Sequence, residues 1–423
     1  MPKKKNNKYT WAIGQPLPFL DEHSQAKHRI ISEYIQRYVE VYMSNTSIER
    51  LRLSIVDGFS GGGRYKDALT NETVDGSPFV ILDAVDQVRQ RINQDRIKPR
   101  HIDAHYFFID NVKEHINFLK NEIQQSPYEN LIDDSIFFEA DEFAVAAPAV
   151  IDHIYRRNKA QRSLFILDQY AYKDVPFNTV NYILNRLQGS EVILTFNVNS
   201  LTNYFSMTGS TRKALDNIHL GQIINWERLA ALAEAGQLKA GIQEQLAKAI
   251  YEASGARHIT LFFVTPKDGL TYWLVHLSKV YRARDVMMSL HWKHSNSTFT
   301  HHLSEGLFSL GYTATETPGQ ISFDLVNEFD FGEEAEKRCI QKLSMEIPQL
   351  VYNLDAPISF SKLVDKIGSY TPAAEEQIRR SLTQSILNKE LRISGINGDY
   401  SKSANRVKPD DVISYAQKPL IFL

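Results

Sequence analysis

The residues with the clearest chemical potential form the glycine-rich loop Ile55-Val-Asp-Gly-Phe-Ser-Gly-Gly-Gly63, which follows a short apolar run. Glycines let the backbone approach a ligand closely, and helix N-terminal amides favour anionic groups. The loop matches neither the nucleoside-triphosphate P-loop nor the dinucleotide fingerprint. An acidic residue followed by glycines suits the methionine arm and sulfonium of S-adenosylmethionine, so Asp57, Phe59, Gly61 and Gly63 are predicted to bind this cofactor. A tight turn without a ligand is the alternative.

Two further acidic residues follow later strand-like runs. Asp110 ends Phe107-Phe-Ile-Asp110, where nucleoside-binding α/β folds use a carboxylate to bind the ribose hydroxyls. The sequence separation between the glycine loop and Asp110 exceeds the roughly 20 residues of the dinucleotide fingerprint. This extra length is explained if Arg64–Ser77 is a loop over the site. Asp141, in Glu139-Ala-Asp141, is predicted to bind the adenine amino group. Helix capping is the alternative at both positions.

The segment Phe165-Ile-Leu-Asp-Gln-Tyr-Ala-Tyr172 contains the candidate catalytic residues. In amino-methyltransferases, a polar residue after the fourth strand accepts hydrogen bonds from the target NH2, and an aromatic ring stacks on its base. Asp168, Tyr170 and Tyr172 are predicted to take these roles. Gln169 stands where a proline would complete the usual Asp-Pro-Pro-Tyr pattern, and structural tyrosines in a loop are the alternative.

The elements that must position these residues are short apolar runs alternating with amphipathic stretches. Runs rich in Ile, Leu, Val and Phe predict strands buried on both faces of a parallel sheet, and the stretches between them predict helices. The predicted strands are Leu51–Val56, His105–Ile109, Ile136–Phe138, Leu164–Leu167 and Val192–Phe196, and the predicted helices include Ser24–Met43, Lys113–Ile123 and Val145–Arg156. This alternation indicates a doubly wound α/β domain, in which ligands bind outside the strand ends.

Two more strands, His258–Val264 and Thr271–Ser278, follow the helical stretch Thr211–Ser254. The short Pro/Gly connection between them demands a hairpin, so one strand must run antiparallel to its neighbour. Five parallel strands closed by a hairpin is the arrangement of class I methyltransferases. The predicted fold class is therefore a Rossmann-like, mostly parallel sheet with an antiparallel terminal hairpin.

From about Cys339 the pattern changes to that of a small winged helix-turn-helix domain. Helices are predicted over Cys339–Asn353, Ser359–Ile367 and Ala373–Leu387, followed by the strand Leu391–Ser394 and a polar wing to Arg406. This module binds nucleic acid in many proteins. The candidate phosphate contacts are Arg379, Arg380, Lys389, Arg392, Lys402 and Arg406. Protein docking is the alternative, because Glu375, Glu376 and Asp399 dilute the basic patch.

The predicted organisation is an N-terminal arm and helix (1–48), a methyltransferase-like domain (49–300, with a helical insertion at about 211–254), a connecting segment (301–338) and the winged helix (339–423). A net charge of −2 gives no whole-protein attraction to nucleic acid, so any contact must use a local patch. The single cysteine, Cys339, excludes a disulfide framework or a cysteine-ligated zinc or cluster site within this chain and fits a reducing compartment.

Other features of the sequence give negative expectations. His291, His294, His301 and His302 cluster, but carboxylate support for a metal is thin and no metal is predicted. The lysine-rich start precedes no apolar segment, and no apolar run approaches the ~18 residues of a membrane span. A cytoplasmic protein without membrane contact is therefore expected.

Several of these segments together resemble the three-Cys-motif partner (TcmP) family. The matching segments are Asp57–Gly63, Gly76-Ser-Pro78, the strand ending at Asp110, Leu167–Tyr172, and Thr271–His276 leading into Asp285–Trp292. The resemblance implies a methyltransferase-like fold, a C-terminal winged helix and a radical-SAM-like partner with a three-cysteine motif, often near phage or mobile-element genes. The family typically has Asp-Pro-Phe-Gly at Asp168–Ala171 and proline at Gly62, where this chain departs from it.

Two functions follow from these observations. The first is an S-adenosylmethionine-dependent methyltransferase acting on DNA or RNA, in a phage-defence or mobile-element system. The second is a non-catalytic partner that binds S-adenosylmethionine or a nucleoside and recruits nucleic acid or protein through its winged helix, which Gln169 favours. The glycine pattern disfavours a nicotinamide-dependent dehydrogenase.

Overall fold

A computed structural model describes residues 9–157, 159–169, 173–197, 209–264, 272–294, 299–300, 331–395 and 404–416. The chain divides into two compact units. The first comprises residues 1–222, 253–256 and 264–279, and the second comprises residues 223–252, 257–263 and 280–423. Within the described ranges, no helix has the length and apolar character needed to cross a membrane.

The first unit follows the predicted alternation of strands and helices. Its elements are α1 (Glu22–Met43), β1 (Arg50–Asp57), β2 (Arg64–Lys66), β3 (Thr73–Asp75), α2 (Ser77–Asn93), β4 (His101–Ile109), α3 (Lys113–Gln124), β5 (Ile136–Glu139), α4 (Phe143–Arg157), β6 (Ser163–Leu167), α5 (Phe177–Arg186), β7 (Ser190–Phe196) and α6 (Gly209–Asn217). In chain order, α7 (Trp226–Glu234), α8 (Leu238–Ser254), β8 (His258–Val264) and β9 (Tyr272–Ser278) come next, of which β9 belongs to the first unit.

The core of the first unit is a sheet with the strand order β5-β4-β1-β6-β7-β9. Strands β1, β4, β5, β6 and β7 pair in parallel, and β9 pairs antiparallel with β7. Every residue of β6 and β7 is buried, as expected for parallel strands with helices on both faces. The predicted Rossmann-like sheet with an antiparallel terminal strand is confirmed, although residues 265–271, which would form the hairpin connection, lie outside the described residues.

The strand order places the ends of three strands side by side. Strand β1 lies between β4 and β6, so the direction in which successive strands are added reverses there. In open α/β sheets, ligands bind at this switch point, beyond the carboxyl ends of the strands. Asp57, at the end of β1, is in register with Phe108 of β4 and Ile166 of β6. The residues directly after β4 and β6 therefore emerge at the same edge of the sheet.

Residues 64–76, expected as a loop over the site, form a small antiparallel hairpin of β2 and β3. The Asp67 carboxylate closes its turn by accepting hydrogen bonds from the backbone amides of Leu69 and Thr70. Strands of three residues are too short to give a recognisable alternation in the sequence. The hairpin returns the chain to the glycine loop, where the Gly76 amide donates to the Gly63 carbonyl over 2.9 Å.

Helix α1 is built into the first unit by polar as well as apolar contacts. Its Tyr34 is fully buried and donates a hydrogen bond to Glu191 of β7. The same Glu191 oxygen lies 3.0 Å from Nε2 of His276 on β9. A buried network of this kind favours one register of α1 on the sheet, because shifting the helix would leave the buried glutamate without its partners.

The second unit ends in the predicted winged helix. Its remaining elements are α9 (Tyr281–Lys293), β10 (Phe299–Thr300), α10 (Glu333–Asn353), β11 (Ile358–Ser359), α11 (Phe360–Ile367), α12 (Glu375–Leu387), β12 (Leu391–Ser394) and β13 (Val412–Tyr415). The last three strands form an antiparallel sheet in the order β11-β13-β12. Helix α10 begins at Glu333, before the predicted Cys339, and the acidic side chains in its first turn stabilise that end through the helix dipole.

Candidate functional site

The glycine loop takes a backbone course that requires glycine. Gly61 has a φ of 56° and Gly63 a φ of 76°, in the left-handed region that other residues rarely adopt. A Cβ atom at Gly61 would lie 2.8 Å from the indole of Trp11, so this side chain packs directly on the loop. The loop is therefore shaped both by its own backbone conformation and by a residue of the N-terminal arm.

Asp110 joins the glycine loop to the end of β4. Its Oδ2 accepts a hydrogen bond from the Gly61 amide over 3.1 Å. Its Oδ1 accepts one from the Val112 amide over 2.8 Å and lies 3.0 Å from Nδ1 of His115. The two predicted cofactor-binding positions thus meet, although they are 49 residues apart in the sequence.

Asp57 lies beneath the loop and is fully buried. Its Oδ1 accepts a hydrogen bond from the Phe59 amide over 3.2 Å, whereas its buried Oδ2 has no hydrogen-bond partner. Burial raises the pKa of Asp57 to about 7, and the Ser77 hydroxyl and Phe59 amide offset only part of this rise. In this geometry Asp57 orders the loop by accepting the hydrogen bond from the Phe59 amide.

The variant Asp57→Asn tests the effect of this burial. Because the pKa is 3.8 in the unfolded chain and about 7 in the folded one, the stabilising contribution of Asp57 is complete below pH 3.8 and is lost as pH rises to 7. Asparagine does not titrate, so the stability of the variant relative to the native protein should increase by about 2–3 kcal/mol between pH 5 and pH 8. Urea unfolding at both pH values measures this change, and a pH-independent difference would contradict the raised pKa.

Asp168, the first predicted catalytic residue, follows β6 and forms an ion pair. The Nζ atom of Lys27, on α1, lies 2.7 and 2.6 Å from its two carboxylate oxygens. The Lys27 side chain is 5% exposed and that of Asp168 is 27% exposed. Burial alone would raise the pKa of Asp168, but the charge and hydrogen bonds of Lys27, together with smaller contributions from other neighbours, lower it. Tyr170 and Tyr172 lie outside the described residues.

Gln169 has a structural role in this loop. Its side chain is buried, and its Oε1 accepts hydrogen bonds from the amides of Asp174 and Val175 over 3.1 and 3.0 Å. These bonds join the start of the loop to its end, which gives a physical reason for glutamine where proline was expected. Its buried Nε2 has no hydrogen-bond partner.

An aromatic cluster beside the glycine loop was not predicted from the sequence. The Trp11 ring lies 5.1 Å from that of Tyr65 and 4.8 Å from that of His115, and its N–H donates to the Arg64 carbonyl over 2.6 Å. Burial raises the pKa of Tyr65, and the nearby charges of Asp168, Asp57 and Asp110 raise it further. The acidic residues at the ends of β1, β4 and β6 therefore all lie within electrostatic reach of one hydroxyl.

Among the described residues, no hydrogen bond joins Asp141 to the residues around the glycine loop. It is exposed after β5, and its Oδ1 accepts a hydrogen bond from the Glu142 amide over 2.8 Å.

Among the histidines considered for a metal, His291 and His294 lie at the end of α9, and His301 and His302 are outside the described residues. Within the described ranges, no group of three His, Cys, Asp or Glu side chains is placed to hold a metal ion.

The basic residues of the winged helix fall into two groups. Arg379 binds Glu375 and the carbonyls of Ala404 and Val407, and Arg380 pairs with Glu336 over 2.7 Å, so both support the domain internally. Of the other predicted phosphate contacts, Lys389, Arg392 and Arg406 are exposed. Lys402 lies outside the described residues.

Comparisons with known proteins give a domain match and a set of structural neighbours. Residues 311–398 match the GMT-like wHTH domain. A Legionella pneumophila protein is similar with 10% identity and a TM-score of 0.38, over 66% of this chain and 95% of its own. A SAM-dependent methyltransferase from Agrobacterium tumefaciens has 10% identity and a TM-score of 0.28, over 60% of this chain and 62% of its own.

A third neighbour is a putative class I S-adenosylmethionine-dependent methyltransferase from Listeria monocytogenes, with 8% identity and a TM-score of 0.27. The similarity covers 61% of this chain and 62% of that one, so this chain spans about three fifths of the length of each methyltransferase. No curated protein sequence matches the chain.

Proposed function

We propose that this chain binds S-adenosylmethionine over the glycine loop and directs its methyl group to a nucleic acid. The observation that carries this proposal is the 3.1 Å hydrogen bond from the Gly61 amide to Asp110, which joins two strand ends at the switch point of the sheet. S-adenosylmethionine supplies an electrophilic methyl group when bound. Displacement at that methyl needs mainly alignment and a desolvated nucleophile, so few catalytic groups are required.

The residues present fit this ligand. Gly61 and Gly63 hold the loop in a positive-φ course that other residues rarely adopt, and the side chain of Asp110 keeps 14% of its surface accessible for ribose hydroxyls. The buried Asp57 Oδ2 is an acceptor without a partner beneath the loop. The sulfonium and ammonium groups of the ligand are cationic, so a site with several carboxylates attracts it. In this proposal Asp141 contacts the adenine, and Asp168, Tyr170 and Tyr172 orient the acceptor.

The winged helix supports the choice of nucleic acid as acceptor. It would hold the polymer through the exposed Lys389, Arg392 and Arg406, with Lys402 in the wing. Because the chain has a net charge of −2, this patch has to supply the attraction to phosphate locally. The single cysteine, Cys339, is buried and cannot form a disulfide within this chain, which fits the proposed cytoplasmic location.

Replacing Lys389, Arg392 and Arg406 together by alanine should weaken binding to the preferred nucleic acid by roughly 10–100-fold at low salt. Each lost phosphate contact should also reduce the slope of log affinity against log salt by about 0.7–0.9. Fluorescence anisotropy with labelled duplex DNA, single-stranded DNA and RNA measures both quantities. Lys337→Ala is the control. This exposed lysine lies near the start of α10, where it pairs with Glu334, and it is not one of the predicted phosphate contacts. An unchanged salt slope in the triple variant would contradict the proposed patch.

A second candidate function is a binding partner without methyl transfer. The observation that favours it is the ion pair of Asp168, whose two oxygens both already accept from Lys27. The resemblance to the three-Cys-motif partner family supports a radical-SAM-like protein as the partner, in a phage-defence setting. In this role the chain would keep the nucleoside site and would recruit the partner or a nucleic acid through its winged helix.

Two measurements on the full chain separate these functions. Isothermal titration with S-adenosylmethionine and S-adenosylhomocysteine tests the site, and transfer of a labelled methyl group to DNA, tRNA and the partner tests the reaction. Binding with transfer to a nucleic acid supports the first function, and binding without transfer to any acceptor supports the second. Absence of binding to either ligand would refute both.

A further inference from the structure

The ion pair between Lys27 and Asp168 brings a buried cation to the edge of the sheet where the acidic residues converge. Lys27 lies on α1, 141 residues before its partner, and its Nζ contacts both carboxylate oxygens. It also lies 5.7 Å from the centre of the Tyr272 ring, on β9. Adjacent His28 has a pKa lowered to about 4, first by burial and then by Lys27, so it is neutral at physiological pH and adds no second cation.

Asp168 lies two residues after Ile166 of β6, which is in register with Asp57 of β1, so its charge reaches the glycine-loop region. It contributes to the raised pKa of Asp57 beneath the loop and to that of Tyr65 beside it. The Thr195 hydroxyl, at the end of β7, adds a hydrogen bond to the same carboxylate. Asp168 is thus a fixed anion near the proposed methyl-donor site, and Lys27 is the cation that balances it.

From this geometry we infer that Lys27 is a positioning and specificity-determining residue that sets the preference of the site between the sulfonium cofactor and its demethylated product. The inference rests on the proposed function. S-adenosylmethionine and S-adenosylhomocysteine differ by one methyl group and one positive charge at sulfur. An unbalanced Asp168 carboxylate would stabilise the cation selectively, and the Lys27 ammonium cancels most of that effect.

This balance has a consequence for methyl transfer. The positive charge at sulfur is lost as the methyl group moves to the acceptor, so a carboxylate that binds the sulfonium stabilises the ground state more than the transition state. Only interactions that are stronger in the transition state accelerate a reaction. By pairing with Asp168, Lys27 keeps this carboxylate from holding the cofactor in its charged form.

The test is the ratio of the dissociation constants for S-adenosylhomocysteine and S-adenosylmethionine, measured by titration calorimetry at pH 8.5. Lys27→Met leaves Asp168 unbalanced and should raise this ratio roughly 10-fold in favour of S-adenosylmethionine. Asp168→Asn leaves Lys27 unbalanced and should lower the ratio by a similar factor. The double variant removes both charges and should return the ratio to near the native value, and Lys27→Arg should keep it.

Each ratio compares two ligands on one protein, so a general loss of stability or affinity cancels. If Lys27→Met cannot be obtained folded, the opposite shift in Asp168→Asn carries the test alone. Native ratios in both single variants, with binding intact, would overturn the inference and leave the proposed function standing. Failure of the native protein to bind either ligand would instead refute the proposed function.

Discussion

Asp110→Ala is expected to weaken S-adenosylmethionine binding at least ~100-fold. The carboxylate accepts hydrogen bonds from the Gly61 and Val112 amides and lies 3.0 Å from Nδ1 of His115, so its removal releases the glycine loop from the end of β4. It also removes the proposed acceptor for the ribose hydroxyls. Hydrogen bonds to a charged group are each worth ~1.5–3 kcal/mol, and two of them account for the expected loss. Isothermal titration of the purified variant measures it.

Asp152→Ala is the matched control for this variant. Asp152 is also an acidic residue of the first unit, but it lies on α4 and pairs with Arg156 on the same helix. Exposed pairs one helical turn apart contribute little, so its titration curve should match the native one within about 2-fold. Binding by Asp110→Ala within 3-fold of the native protein would show that this carboxylate does not form the site.

The second large effect is expected in the second unit, where Arg284→Met should lower the free energy of unfolding by about 3 kcal/mol. Arg284 is completely buried, and its two terminal nitrogens donate to the carbonyls of Thr371 and Ala373, just before α12. Methionine fills a similar volume but leaves both carbonyls without a donor. An unsatisfied buried acceptor costs ~1–3 kcal/mol, so the loss of two donors destabilises the winged helix.

Arg282→Met gives the comparison within the same helix. The Arg282 side chain is 56% exposed and pairs with Asp285 over 3.0 Å. Its replacement should change stability by no more than ~0.5 kcal/mol. Urea unfolding followed by circular dichroism measures both variants under one set of conditions. Equal midpoints for the two would mean that the carbonyls before α12 do not depend on Arg284.

The fold could be predicted because its strands are buried on both faces. The run Leu164–Leu167 of β6 has no exposed position and is continuously apolar, so it stands out from the amphipathic helices. The contact between the glycine loop and Asp110 could be predicted for a related reason. Parallel strands end at the same edge of a sheet, and polar residues directly after neighbouring strands are therefore brought together.

The partners of the site residues could not be predicted in this way. Lys27 meets Asp168 across 141 residues, and Trp11 reaches the glycine loop from an arm that has no helical or strand periodicity. In the winged helix, the sequence shows that Arg379 and Arg380 are basic but not that Glu375 and Glu336 already pair with them. Pairing depends on tertiary contacts, which composition and spacing do not report.

The most direct test of this account is a crystal structure of the full chain with S-adenosylhomocysteine. Ligand density is expected along Gly61–Gly63, with the ribose hydroxyls within hydrogen-bonding distance of Asp110 and the amino-acid arm above Asp57. Density for the ligand elsewhere in the protein, with the Trp11 indole still packed on Gly61 and Asp110 bonded only to protein, would contradict it.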